Sequence, residues 1–203
     1  MQSGSKNEDA LVKGAKVKGA KVLGAKVLAA NVSAAKVLIV DDDYYTRKVV
    51  RTLLAVVGIV NVHDATDGAR GLEAIGTLRP DVVILDWEMP GIDGTEFTRR
   101  VRSPAHFSYP NVPIIMLTGH GERSRVAEAV RLGVHELLLK PVSSKALLDC
   151  IVSVLAHPRP MVRRGDYYGP EPRPLSTYKP DAGSYNLRAE QVADQSPALR
   201  IVV

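Results

Sequence analysis

Residues 82–94 read VVILDWEMPGIDG, and this stretch decides the fold class of the chain. Val82–Leu85 is a short, fully apolar run of the kind that forms a buried parallel strand, and Asp86 closes it. Met89–Gly91 contains a proline and a glycine and predicts a turn. Asp93 is placed to cap a helix that starts directly after that turn. The order of strand, acid, turn and helix predicts one unit of an alternating β/α chain.

The same unit recurs on both sides of this stretch. Besides Val82–Leu85, four runs predict strands: Val37–Val40, Ile59–His63, Val112–Leu117 and Val134–Leu139. A helical pattern follows each strand, and the spacing in the first helix predicts a shared face made of Val49, Leu53, Val56 and Val57. Five strands that alternate with five helices in roughly 120 residues predict an α/β domain, a doubly wound parallel sheet.

Polar side chains follow four of the five predicted strands. They are Asp41, Asp42 and Asp43 after the first strand, Asp86 after the third, Thr118 after the fourth and Lys140 after the fifth. Because the carboxyl ends of parallel strands meet at one edge of a sheet, we expect these side chains to converge. Converging carboxylates repel one another unless a cation neutralises them, and hard oxygen ligands suit Mg²⁺. An aspartate nucleophile, a hydroxyl and an ammonium together predict a phosphoryl-accepting site. The alternative interpretation is a set of solvated loop residues.

Four motifs carry a family resemblance: VLIVDDD, ILDWEMPGIDG, PIIMLTG and LLLKP, which begin at residues 37, 84, 113 and 137. Their spacing, order and strand context resemble the signatures of the response-regulator receiver domain, the CheY-like family, over about residues 36–157. The resemblance implies a flavodoxin-like five-stranded sheet. It also implies that Asp86 accepts the phosphoryl group from the phosphohistidine of a sensor histidine kinase.

The resemblance further assigns the metal site. Asp42 would bind Mg²⁺ directly, together with the carboxylate of Asp86 and the backbone carbonyl of Glu88. Asp41 would be the second residue of the acidic pocket and would act partly through water. Asp43 is interpreted separately, as a residue at the helix entry rather than a third ligand.

Further positions of the motifs concern the phosphoryl group and the output. Thr118 would donate a hydrogen bond to the phosphoryl group, Lys140 would pair with it, and a cis peptide bond would precede Pro141. His120 is interpreted as an exposed loop imidazole. One position departs from the family, because Leu137 stands where an aromatic side chain usually reports phosphorylation. The output switch is therefore expected to be altered or weak.

The flanks of the chain differ from its middle in charge. Residues 1–36 hold seven Lys/Arg and two Asp/Glu, residues 37–157 hold 13 and 15, and residues 158–203 hold seven and five, so their net charges of +5, −2 and +2 sum to +5. We predict a low-complexity leader over residues 1–35, which repeat a valine every five residues, and a receiver domain over residues 36–157. The positive charge keeps open an alternative, a basic arm that binds nucleic acid.

Residues 158–203 are predicted to be a proline-rich extension. With seven prolines in 46 residues, this stretch is too short and too often interrupted for a helix-turn-helix effector domain. It is interpreted either as a disordered linker or, over the stretch HPRPMVRRGDYYGP, as an extension that resembles those after some stand-alone receivers. The apolar segment at residues 198–203, ALRIVV, suggests an arm that assists a homodimer.

The sequence therefore predicts a single-domain, two-component response regulator, a magnesium-dependent phosphoprotein that is no enzyme beyond its own phosphorylation and dephosphorylation. Its expected partners are a sensor histidine kinase and a second copy of the chain, bound through the output face or the tail. A single cysteine and the lack of a long apolar run predict a cytoplasmic protein without a membrane span. One alternative is a phosphorelay intermediate or phosphate sink that passes phosphate to a histidine phosphotransfer protein. A haloacid-dehalogenase-type phosphotransferase fits less well, because the nucleophile follows the third strand and Glu88 stands where that class has an aspartate.

Overall fold

Strands and helices alternate along the described residues, and a hairpin follows the last helix. The computed structural model describes residues 30–120 and 123–172. Its parallel strands are β1 (Val37–Val40), β2 (Val62–Ala65), β3 (Val82–Asp86), β4 (Ile114–Thr118) and β5 (Glu136–Leu139). Its helices are α1 (Tyr44–Val56), α2 (Gly68–Leu78), α3 (Gly94–Val101), α4 (Arg123–Leu132) and α5 (Ser144–Ala156). Within the described ranges, no helix has both the length and the apolar character needed to cross a membrane.

The five strands form one parallel sheet in the order β2-β1-β3-β4-β5. The chain runs from β1 outward to β2 and then crosses back to β3, so the strand order reverses between β1 and β3. Val40 lies opposite Leu85 in the register of these two strands, which places the residues that follow them side by side. This is the doubly wound, flavodoxin-like architecture that the sequence predicts, and the fold prediction is confirmed.

Helices cover both faces of the sheet. On one face, α1 and α5 pack with buried side chains such as Leu54 and Ile151. The other face carries α2, α3 and α4, with Phe97 at the centre of the layer. Val32, which precedes β1 and falls within the predicted leader, is also buried on the face of α1 and α5. Burial on both faces explains why the inner strands β1, β3 and β4 are apolar runs rather than alternating patterns.

Two local predictions are corrected. On α1 the buried side chains are Arg47, Val50 and Leu54, whereas Val49 and Val56 are 56% and 71% exposed. The second strand, predicted at residues 59–63, lies at Val62–Ala65. The buried Ile59 belongs to the turn that ends α1, where its backbone N–H donates to the carbonyl of Leu54. The predictions that a helix and a strand occur here are confirmed, and the predictions of the buried face of α1 and of the bounds of β2 are wrong.

Polar side chains begin three of the helices, including the two at Asp43 and Asp93 that the sequence predicts. Asp43, Asp93 and Ser143 precede α1, α3 and α5, and each accepts a hydrogen bond from the backbone of the first turn. Gly133 follows α4 with a φ of +83°, the left-handed conformation that favours glycine after a helix.

Residues 161–170 form an antiparallel hairpin of β6 (Met161–Arg164) and β7 (Tyr167–Pro170), with Gly165 in the turn at a φ of +59°. The hairpin packs on the turn between α4 and β5. A Cβ atom at Gly169 would lie only 2.7 Å from Cα of Gly133, so the two backbones meet without room for a side chain. This part of the extension is therefore ordered structure and not the disordered linker considered above. The segment at residues 198–203 lies outside the described residues.

The buried guanidinium of Arg102, at the end of α3, connects the loop before β4 to the turn before β5. It donates to the backbone carbonyls of Gly133 and Val112, each at 2.9 Å, and to that of Pro110. Burial lowers the pKa of Arg102 to about 9, and the nearby tyrosines of β7 oppose that shift. The group therefore remains charged at neutral pH. Arg159 donates to the carbonyl of His135, which attaches the start of the hairpin to the start of β5.

Candidate functional site

Three carboxylates meet at the carboxyl ends of β1 and β3, where the strand order reverses. Asp41 follows β1, Asp42 comes next, and Asp86 is the last residue of β3. One carboxylate oxygen of each lies within 4.8 Å of the others. Asp41 and Asp86 are 1% and 7% exposed, whereas Asp42 faces solvent. The strand register brings these acids together although 44 residues separate Asp42 from Asp86.

Lys140 supplies a positive charge to the two buried acids. It directly follows β5, and its Nζ lies 2.7 Å from Oδ1 of Asp86 and 3.1 Å from Oδ2 of Asp41. Burial disfavours the charged ammonium, but the hydrogen bond and charge of Asp86 outweigh that effect and raise the pKa of Lys140. The Lys140–Pro141 peptide bond is cis, as expected from the resemblance. The lysine is therefore held as a cation between two carboxylates.

The single positive charge of Lys140 does not balance the negative charge of the three acids. Burial is the largest influence on Asp41 and, with the charge of Asp86, raises the pKa of its carboxyl despite the opposing charge of Lys140. The backbone N–H of Asp43 donates to the same carboxylate at 2.8 Å and stabilises its ionised form. The three acids and the lysine carry a net charge of −2 when ionised, so this edge of the sheet is suited to bind a cation.

Thr118 lies at the end of β4, on the other side of β3 from Asp41. Its side chain is 2% exposed, and Oγ1 accepts a hydrogen bond of 3.1 Å from the backbone N–H of His120. Leu117 pairs with Asp86 in the strand register, so the hydroxyl belongs to the residue after the partner of the acid. The structure thus brings the predicted hydroxyl to the same edge of the sheet as the acids and the lysine.

The side chain of Glu88 lies outside the three-acid group. Its Oε1 lies 3.2 Å from the guanidinium of Arg125 and 3.4 Å from Nδ1 of His120. Arg125 also stacks over the indole of Trp87, at 4.9 Å from the ring centroid. These contacts line a cleft of about 660 Å³ between α3, α4 and the loop after β3. Arg125 could not be predicted as part of this cleft, because nothing in the sequence spacing links α4 to Glu88.

Arg47 lies beneath the acidic loop and was also missed. Its Nη1 donates to the backbone carbonyl of Asp41 at 2.7 Å and to that of Asp42 at 3.1 Å. The whole residue is 8% exposed. A signal was present in the sequence, because Arg47, Val50 and Leu54 have the 3-4 spacing of one helical face. An arginine on a buried face requires polar partners, and the nearest available ones are the carbonyls at the end of β1.

The chain is similar in sequence to proteins of one known family. Residues 37–152 match the model of the response regulator receiver domain, which is more than half of the chain. The chain belongs to the response-regulator receiver family. The receiver of this chain is 31% identical over 119 residues to the chemotaxis protein CheY of Pseudomonas aeruginosa, a match that covers 59% of this chain and 94% of that protein. It is 32% identical over 114 residues to the chemotaxis protein CheY-3 of Vibrio cholerae, with 56% and 86% covered.

Solved receiver structures have the same fold. The chemotaxis protein CheY4 of Vibrio cholerae is similar with a TM-score of 0.54 and 34% identity, over 60% of this chain and 99% of that one. The receiver domain of the Francisella response regulator 1452 is similar with a TM-score of 0.55 and 29% identity, over 60% and 97%. The receiver matches therefore cover nearly the whole of these relatives and leave both flanks of this chain outside.

Proposed function

We propose that this protein is a two-component response regulator whose receiver accepts a phosphoryl group on Asp86 from a sensor histidine kinase. The observation that carries the proposal is the meeting of Asp41, Asp42 and Asp86 with Lys140 at the point where the strand order reverses. Membership of the receiver family supports the same function. Among the acids, Asp86 is the proposed nucleophile because it ends the central strand, contacts Lys140 at 2.7 Å and lies next to β4, the strand that carries Thr118.

The proposed reaction is a direct phosphoryl transfer. A carboxylate oxygen of Asp86 attacks phosphorus, the bond from phosphorus to the donor imidazole nitrogen breaks, and an acyl phosphate and a free imidazole result. Lys140 already contacts the attacking carboxylate and would pair with the added phosphoryl charge. Thr118 would donate its hydroxyl to a phosphoryl oxygen once the group arrives.

We assign the metal site to the same edge of the sheet. Asp42, the carboxylate of Asp86 and the backbone carbonyl of Glu88 would hold Mg²⁺, with Asp41 as the second acidic residue. These hard oxygen donors and the incompletely compensated charge of Asp41 fit a divalent cation. When bound, Mg²⁺ would neutralise the charge that accumulates on the oxygens of the transferring group.

The proposed regulator has three segments: a leader over residues 1–35, the receiver over residues 36–157 and an extension over residues 158–203. We propose that it acts in the cytoplasm, and that it signals through a conformational or partner-binding change, including a homodimer formed through the output face or the tail. Onward transfer to a histidine phosphotransfer protein is the alternative output. The family relationship supports the kinase as partner.

Intact-mass measurement after incubation with Mg²⁺ and a small phosphodonor tests the proposal. We expect one added phosphate on the wild type and none on Asp86→Asn. Asp43→Asn is the matched control, because this neighbouring acid caps α1 and its replacement retains the capping oxygen. Removal of Mg²⁺ by chelation should abolish phosphorylation of both the wild type and Asp43→Asn. Equal labelling of Asp86→Asn and the wild type would place the acceptor elsewhere.

A further inference from the structure

Arg47 is a buried cation that donates hydrogen bonds to the backbone of the acidic loop. One nitrogen of its guanidinium donates to two successive carbonyls, those of Asp41 and Asp42. The other side of the group faces Asp64 of β2, with Nε 4.0 Å from Oδ2. The arginine therefore connects the loop after β1 to β2 from beneath, on the side opposite the solvent-facing carboxylate of Asp42.

These contacts restrict the geometry of the loop. Two carbonyls bonded to one planar group fix the peptide planes on either side of Asp42, and with them the direction in which its side chain leaves the backbone. Charged donors make stronger hydrogen bonds than neutral donors, and partial burial protects these from competition by water. Asp42 itself is exposed and has no such anchor in its side chain among the contacts of the described residues.

We propose that Arg47 is a positioning residue for the metal site, which holds Asp41 and Asp42 in the geometry that Mg²⁺ requires. The inference rests on the proposed function, and it assigns the affinity and selectivity for Mg²⁺ to a side chain that does not touch the ion. Mg²⁺ demands near-ideal octahedral geometry, whereas Ca²⁺ tolerates varied geometry. Loss of the anchor should therefore weaken Mg²⁺ binding more than Ca²⁺ binding.

Geometry and charge make opposite predictions for one variant. A cation near three acids repels Mg²⁺, so its charge alone would make Arg47→Gln bind Mg²⁺ more tightly. Loss of the anchor would make the same variant bind it more weakly. Arg47→Lys keeps the charge, but its side chain is one bond shorter and lacks the planar fork. If positioning dominates, both variants bind Mg²⁺ more weakly.

The test is a titration of the full chain with Mg²⁺ and separately with Ca²⁺. Trp87, the single tryptophan of the chain, adjoins Asp86 and provides the fluorescence signal, and the rise in Tm with metal is a second readout. Loss of residues that orient ligands typically weakens metal binding by about 10- to 100-fold, so we expect at least a roughly tenfold weaker Mg²⁺ affinity in Arg47→Lys and Arg47→Gln.

Arg51→Lys is the matched control. Arg51 lies on the same helix and bonds the same Asp64 at 2.6 Å, but its other contact is the carbonyl of Val62, away from the acidic loop. Its replacement should leave the Mg²⁺ affinity within about twofold of the wild type, as expected for an exposed ion pair.

The outcomes separate the inference from the function on which it rests. Weaker Mg²⁺ binding with a smaller change for Ca²⁺, in variants that retain a cooperative thermal transition, supports the positioning role. Unchanged Mg²⁺ affinity in Arg47→Lys, or tighter binding in Arg47→Gln, overturns it while the metal site stands. A wild type that binds no Mg²⁺ by either readout overturns the proposed function itself.

Discussion

Replacement of Asp41 by asparagine should stabilise the metal-free protein at neutral pH. Asp41 is 1% exposed, and the attraction to Lys140 offsets only part of the free-energy cost of burying its charged carboxylate. At an effective dielectric constant of about 20, the attraction to Lys140 at 3.1 Å is about 5 kcal/mol and the repulsion from Asp86 within 4.8 Å is at least about 3.5 kcal/mol. Removal of a carboxylate from water costs several kcal/mol more.

The sign follows from the balance of these terms. Attraction exceeds repulsion by at most about 1.5 kcal/mol, and desolvation is larger than that surplus. The raised pKa of Asp41 agrees that the ionised form is disfavoured in the folded protein. Asparagine retains an acceptor for the N–H of Asp43 and leaves Lys140 bonded to Asp86. We therefore expect Asp41→Asn to gain about 1–2 kcal/mol, which corresponds to a Tm higher by roughly 2–8 °C for a protein of this size.

Thermal unfolding in chelator at several pH values is the assay. Because the folded pKa of Asp41 lies above its unfolded value, the folded wild type binds the proton more tightly, and its stability rises as the pH falls from neutral through that folded pKa. The advantage of Asp41→Asn should therefore shrink toward pH 4. Excess Mg²⁺ should stabilise the wild type by about 2.7 kcal/mol at a concentration 100 times its Kd, and the variant by less. A variant less stable than the wild type at pH 7 in chelator would refute the reasoning.

Three further predictions concern packing and buried charge. Gly169→Ala should lower the free energy of unfolding by about 1–3 kcal/mol, because the new Cβ would meet the backbone of Gly133. Gly76→Ala, in open space on α2, should raise it by about 0.5–1 kcal/mol, and urea unfolding of both variants measures the contrast. Arg102→Met should lose about 2–4 kcal/mol in the same assay, since the two buried carbonyls at 2.9 Å lose their charged donor. Lys140→Met in chelator should lose about 3 kcal/mol, because two buried acids are left without their cation, and a loss below about 1 kcal/mol would contradict that account.

The sheet was predictable because every strand except β2 contains an apolar run of at least three residues that a polar residue closes. Burial on both faces of a parallel sheet produces that pattern directly, and the parallel order brings Asp41, Asp86, Thr118 and Lys140 to one edge. The family resemblance then supplied roles that composition alone could not. Those roles stay predictions until phosphorylation and metal binding are measured.

The face of α1 was not predictable with the same security. Its apolar residues come in adjacent pairs, Val49-Val50, Leu53-Leu54 and Val56-Val57, so two faces about 100° apart fit the helical period. The structure selects the face with Arg47, Val50 and Leu54, because the arginine finds carbonyl acceptors at the end of β1. Tertiary contacts therefore determine which of the two possible faces of α1 is buried, because the local sequence pattern fits both equally well.

The hairpin was missed for a related reason. Its strands are four residues long, and prolines flank the segment, which weakens any local strand signal. The signal that existed was Gly165-Asp166 between MVRR and YYGP, a two-residue turn. What stabilises the hairpin is remote in sequence, namely the backbone of Gly133 and the side chain of Asn111, which accepts from the hydroxyl of Tyr168.

The two ends of the hairpin lie together, at the end of the molecule opposite the acidic group. The backbone N–H of Glu171 donates to the carbonyl of Pro160, so the chain leaves the hairpin beside the point where it entered. That point lies near the amino-terminal ends of β4 and β5, whereas the acidic group lies at the carboxyl ends of the strands. A linker attached after residue 172 therefore starts at the end of the molecule away from Asp86. Immobilisation or fusion at that position would leave the approach of a phosphodonor clear.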